Sequence, residues 1–237
     1  MTLNQSNPSS SSRARSVLGA VALAAGLLAL SSMAQAQSAG TLMLRGGVMR
    51  ISPNVDSGDL SPPAFVGTKA DIKGDTQVGG GISYMLTDNF SIDIPLATPF
   101  KHEIDGAGAI AGVGKIGEVR ALPVTLLGQW RFLDPKSPFR PYVGAGLTYA
   151  KFYKAKSTAI FSAMTGGTPS NPTTLSVDSK FAATVEVGGT YSFTDHWFIE
   201  AFVARTFLKT RTTLSSGQTL DAKIDPNTYS LAVGYAF

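Results

Sequence analysis

The chemistry open to this 237-residue chain is bounded by its two histidines, His102 and His196, and by the absence of cysteine. A hydrolase needs a nucleophile, an imidazole base and a carboxylate within mutual reach. His102 stands beside Glu103 with no serine at a recognisable spacing, and His196 falls in the short turn Thr194-Asp195-His196. Two isolated histidines without thiolates cannot supply the usual nitrogen and sulfur ligands of a metal centre, so neither a metal nor another cofactor is expected. Gly79-Gly80-Gly81 and Gly144-Ala145-Gly146 are not phosphate loops, because no helix follows either; close strand packing or a bend accounts for them better.

What remains is a set of charges inside otherwise apolar, alternating stretches: Arg45, Asp93, Arg131, Glu186 and Glu200. If Ile92, Ile94, Val185, Val187, Trp197 and Ile199 face outward, Asp93, Glu186 and Glu200 face inward, as do Gln129 and Arg131. Arg45 shares the phase of Gly47 and Met49 and faces inward too. Two arginines against three carboxylates in a low-dielectric interior should pair. The set reads as a structural plug in preference to an ion-selective pore, since the interior of a small barrel is just wide enough for side chains to fill.

The elements that must position these residues are strands. At the C-terminus Tyr229, Leu231, Val233, Tyr235 and Phe237 alternate with Ser230, Ala232, Gly234 and Ala236, a bulky face against a small one. Similar stretches at 42–52, 76–86, 90–98, 120–132, 140–152, 180–193, 197–209 and 226–237 give eight expected strands. The connections alternate long and short in strict order, as in an up-and-down transmembrane meander with long extracellular loops and short periplasmic turns. Aromatics gather at the short-turn ends: Phe90, Trp130, Phe132, Phe193, Trp197, Tyr235 and Phe237. Arg205 breaks the alternation, requiring a bulge near Ala204 or a side chain that snorkels to the headgroups. The fold expected is all-β, an eight-stranded antiparallel up-and-down transmembrane barrel.

Residues 1–36 read as a cleaved signal peptide: Arg13 and Arg15 precede the apolar run 17–30, and Ala34-Gln35-Ala36 supplies a small-residue cleavage site. A 14-residue apolar run gives about 21 Å of helix, short of a hydrocarbon core of about 30 Å. Residues 37–237, the expected barrel domain, carry 18 basic and 16 acidic groups, too balanced for nucleic-acid binding. Without cysteine there is no lipoprotein anchor.

The ordered pieces Ile51-Ser-Pro-Asn54, Ala97-Thr-Pro-Phe-Lys-His-Glu-Ile104, Leu122-Pro123, Arg140-Pro-Tyr-Val-Gly-Ala-Gly-Leu147 and Ile224-Asp-Pro226 resemble the OmpW family of outer-membrane barrels, which includes alkane-uptake porins of the AlkL type. The resemblance implies a monomer in the Gram-negative outer membrane with a narrow apolar passage for small hydrophobic solutes, and a non-enzymatic role. It departs at Pro95 and Ala204, where family members place bulky apolar residues that would constrict the passage. The terminal Phe237 suits the barrel-assembly machinery, and membrane lipid and lipopolysaccharide are the expected surroundings.

Pro95 within the expected third strand, Pro99 just after it and Pro123 within the fourth lack ladder donors, and they would either open a lateral exit into the bilayer or kink the wall to adjust its curvature. Leu60, Phe65, Val66, Ile110, Val113, Ile160 and Phe161 place apolar material in the long loops, either as a funnel collecting apolar solutes or as patches packed on one another and on lipopolysaccharide. The alternatives to transport are a plugged structural or adhesive barrel whose loops bind external partners, and an outer-membrane lipid hydrolase.

Overall fold

The structure, a computed structural model, describes residues 37–237; segment 1–36, expected from the sequence to be a signal peptide, lies outside the described residues. Its strands are β1 (Leu42–Ser52), β2 (Asp56–Ser57), β3 (Thr68–Ile72), β4 (Asp75–Met85), β5 (Phe90–Ala97), β6 (Phe100–Gly108), β7 (Lys115–Arg131), β8 (Phe139–Ser157), β9 (Leu175–Val177), β10 (Lys180–Ser192), β11 (Trp197–Phe207), β12 (Lys209–Leu214), β13 (Thr219–Lys223) and β14 (Asn227–Ala236), with one short helix, α1 (Ala159–Met164). Antiparallel pairing runs β4-β1-β14-β11-β10-β8 and closes through β8–β7 and β7–β5 onto β5–β4. The result is a closed eight-strand antiparallel barrel, which in lipid leaves no open sheet edge.

Six of the eight crossing strands are continued upward by a chain-adjacent shorter strand, while β7 and β8 run on unbroken. β3 pairs β6, which pairs β7, while β2, β13, β12 and β9 form a second sheet. The long connections expected as loops are therefore partly strand, and eight staves rise beyond the lipid band as a collar. Several staves break at short kinks around Pro53, Gly74, Pro99, Ser179, Leu208 and Pro226. The motifs that carry the family resemblance sit largely at these kinks, where barrel meets collar. The expectation missed the collar because its outward face is polar, as water requires, while its inward apolar residues were read as loop patches.

Outward apolar residues such as Val48, Val78, Leu126, Leu147, Val187 and Leu231 stand exposed, forming the surface that lipid covers. Below them Tyr84, Phe90, Trp130, Phe132, Phe139, Tyr191, Phe193, Trp197, Tyr235 and Phe237 ring the short-turn end. Trp197 meets the Tyr235 ring edge-on at 5.2 Å, and Tyr235 meets Phe237 at 4.8 Å, an interfacial girdle. The register of β11 with β10 and β14 runs unbroken through Ala204 and Arg205, so no bulge is needed. Arg205 instead reaches Asn227 Oδ1 at 3.3 Å and Asp225 Oδ2 at 3.7 Å at the upper rim.

Candidate functional site

The lower lumen is filled. Arg45 grips Asp93 with two guanidinium nitrogens, at 2.8 and 2.9 Å, and its Nε lies 2.7 Å from Glu200 Oε1. Ser83 accepts from Arg45 Nη1 at 2.7 Å and donates to Asp93. Arg131 lies 3.9 Å from Glu200, donates to Gln129 Oε1 at 2.8 Å and sits 4.8 Å above the centre of the Tyr142 ring. Glu186 makes no arginine pair within 4 Å; it accepts from Gln129 Nε2 at 2.6 Å. All five charges singled out in the sequence thus meet in one buried assembly, with Glu186 tied in through an amide.

Two glycines make room for it. A Cβ on Gly81 would lie 2.5 Å from Arg45 Nη2, and one on Gly144 would lie 2.6 Å from Glu186 Oε1. This answers the close-packing reading of both glycine runs in terms of what approaches them.

Sequence reasoning missed three participants. Arg140 is fully buried and donates to the carbonyls of Gln37 and Asp88, each at 2.6 Å, bolting the periplasmic turns together. Tyr142 packs beneath the chamber floor, and Gln37 links Arg131 to Thr190 through its Oε1. The signal for Arg140 and Tyr142 was present: both share the inward phase of Gly144 and Gly146. Also unseen was a belt of hydroxyls, Thr125–Thr148–Thr184–Thr206, linked at 2.8, 2.6 and 2.9 Å across four adjacent staves.

Above the plug the lumen becomes a narrow apolar chamber with a cavity volume of about 90 Å³. Met49, Ile51, Leu127, Ala150, Phe202 and Leu208 line it, Glu186 lies at its floor, and the threonine belt runs along its wall. Pro95 and Ala204 face this chamber. His102 does also, its Nδ1 2.8 Å from the Lys73 carbonyl and its ring stacked 6.2 Å from Phe100. His196 packs edge-on against Tyr235 at the opposite end.

One wall of the chamber is incomplete. β5 pairs with β7 only from Phe90–Trp130 to Asp93–Leu127, and pairing resumes one stave-kink higher at Phe100–Ala121. Residues 94–99 and 122–126 thus face each other across a seam with no paired positions. Pro95 and Pro123 remove donors on opposite sides of it, Pro99 marks its upper end, and Pro95, Leu96 and Pro123 touch the chamber.

The loop residues divide. Leu60, Ile110 and Phe161 are buried with Ile104, Ile116, Val119 and Leu214 in an apolar cluster inside the collar, and Val113 packs against it. Phe65, Val66 and Ile160 are exposed. The cluster shares Val119 and Phe152 with the chamber, so apolar lining is continuous from collar to seam. On the collar's outer face, Lys115 donates to Glu103 at 2.8 Å, and that hydrogen bond holds the Glu103 carboxyl below its ordinary range. The bidentate Arg211 fork, at 2.7 and 2.8 Å, does the same for Asp221.

Comparison with known proteins agrees with this architecture. The sequence pattern of the OmpW family matches residues 38–237. Outer membrane protein W of Vibrio cholerae serotype O1 is 34% identical over 218 residues, 89% of this chain and 95% of the relative. The crystal structure of the outer membrane protein OprG from Pseudomonas aeruginosa matches with a TM-score of 0.77 at 28% identity, over 86% of this chain and 99% of that one. The solid-state NMR structure of AlkL in lipid bilayers matches in fold, with a TM-score of 0.64 at 20% identity over 99% and 97% of the two chains.

Proposed function

The chain belongs to the OmpW family of Gram-negative outer-membrane barrels, and on that premise we propose that it passes small hydrophobic molecules from the cell surface into the bilayer through its wall. The observation that carries this reading is the position of the seam: it opens beside an apolar chamber whose floor is a buried ionic plug. A greasy solute gains nothing by entering the plug, since displacing paired, desolvated charges is costly. Lipid lies one wall away, and at 94–99 that wall has no ladder to break. Pro95, Pro99 and Pro123 are the edges of the exit, and the small Ala204 side chain stands across the chamber from them. Leu60, Ile110, Val113 and Phe161 form the apolar approach from the collar, with Phe65, Val66 and Ile160 at its outer surface. The role is transport without catalysis, by a monomer.

The test is uptake of a medium-chain alkane by cells lacking their own small barrels. Expression of this protein should speed uptake, and Ala204→Phe, which fills chamber space beside Glu186, should abolish most of the gain. Equal uptake with and without folded protein would overturn the proposal. A second reading, a plugged barrel whose loops bind an external partner, is favoured by the exposed apolar surface of Phe65, Val66, Gly112 and Met164, and it is what survives if uptake does not change.

A further inference from the structure

On the wall away from the seam, Lys209 of β12 and Lys223 of β13 are direct cross-strand partners, both pointing outward. Like charges placed opposite each other destabilise a sheet unless an anion stands between them. Lys223 shares Asp225 with Arg205, at 3.3 and 3.7 Å, while Asp225 Oδ1 is already engaged by the Leu208 amide at 3.0 Å. Among the described residues no carboxylate lies within 4 Å of Lys209 Nζ. Lys180 adds a fourth cation, paired with Asp178 at 3.3 Å. Four cations thus meet two carboxylates.

The same groove carries two exposed phenylalanines, Phe181 and Phe207, 75% and 51% exposed, and Tyr149 supports Phe181 at 4.8 Å. Its height is fixed by its neighbours. Below it the outward face is apolar, with Val185, Val203 and Tyr229; above it stands the hydrated Arg211–Asp221 pair. The groove therefore sits where acyl chains give way to headgroups in the outer leaflet, at the end opposite the aromatic girdle. A ligand that satisfies it must be anionic on one side and acylated on the other.

We propose that this groove is a binding site for the lipid A portion of lipopolysaccharide, its phosphate between Lys209 and Lys223 with Arg205 and Lys180 flanking, and an acyl chain against Phe181 and Phe207. Two staves, β7 and β8, separate the groove from the seam on one side and three, β5, β4 and β1, on the other, so the proposal stands apart from transport.

The experiment is native mass spectrometry of the folded full-length barrel, released from micelles containing hexa-acylated lipid A over a concentration series. One-to-one adducts are expected, and Lys209→Gln with Lys223→Gln should weaken them about thirtyfold, two headgroup contacts being lost. Phe207→Ser, which leaves every charge in place, should weaken them several-fold, and dephosphorylated lipid A should bind no better than the double variant. A comparison pair, Lys151→Gln with Lys154→Gln on β8, should change affinity by less than about twofold. Equal binding by wild type and the Lys209/Lys223 variant would overturn the proposal. So would equal loss in the Lys151/Lys154 variant, which would spread the attraction around the rim, or displacement of lipid A by millimolar inorganic phosphate, which would make this a free-anion site. Heat-dependent band shifts confirm folding of each variant.

Discussion

Asp93 pairs with Leu127 across β5 and β7 at the last rung below the seam, and the same Asp93 is the carboxylate that Arg45 holds with two nitrogens. The ladder therefore stops where the ionic assembly begins. The plug closes the lumen downward and also pins the lower lip of a wall segment that lacks cross-strand pairing.

Removing that pin is the first prediction. Asp93→Ala leaves Arg45 with Glu200 as its remaining carboxylate and removes the acceptor of the Ser83 hydroxyl. Unfolding in urea should show a loss of about 3–5 kcal/mol, the usual result of orphaning one member of a buried pair. A loss within error of an exposed substitution such as Asp59→Ala would show that the assembly does not hold the barrel.

The room left by Gly81 gives the second. Gly81→Val forces the Arg45 guanidinium out of its place, and overpacking of this kind costs about 1–3 kcal/mol. The barrel should fold, with a lowered urea midpoint and raised single-channel conductance for small ions in planar bilayers. Unchanged conductance would mean that the lower lumen stays sealed without Arg45 in position.

Hydrogen exchange offers the third. Amides of Ala97 on β5 and Thr125 on β7, which point into the seam, should exchange far faster than those of Tyr142, Gly144 and Gly146 on the continuous β8–β10 ladder. Equal protection would show that the seam closes in solution and would remove the exit.

Acid should loosen the collar before the barrel. Glu103 and Asp221 have folded pKa values below their unfolded ones, so their pairs stabilise the collar above the unfolded values of about 4.3 and 3.9, and that contribution is lost as pH falls through the folded values. Exchange in β6, β12 and β13, corrected for intrinsic chemical rates, should rise below about pH 4 while β10 and β11 stay protected. Because both pairs are exposed, the rise should shrink in high salt. A pH-independent collar would assign its order to the apolar cluster alone.

The strands that cross lipid were legible because lipid imposes a strict alternation on the outer face, and Leu231, Val233 and Tyr235 display it without interruption. Loop-length order then fixed the meander, and the inward phase of Arg45, Asp93, Arg131, Glu186 and Glu200 placed the plug. The collar was not legible, since water accepts Lys101, Glu103 and Lys115 on a strand as readily as on a loop. Nor was the threonine belt: Thr125, Thr148, Thr184 and Thr206 lie far apart in the chain and come together only through register, which a single strand does not encode. The apolar loop residues were noticed, but composition could not separate Phe161, buried in the collar, from Phe65, exposed outside it.

The seam has a mechanical meaning as well. A closed barrel resists sideways pressure as a hoop, with load shared around its circumference by the cross-strand bonds. A hoop with an unfastened joint yields there first, so compression or thinning of the surrounding bilayer concentrates as bending between residues 94–99 and 122–126. The width of that joint thus follows the tension and thickness of the membrane in which the protein sits.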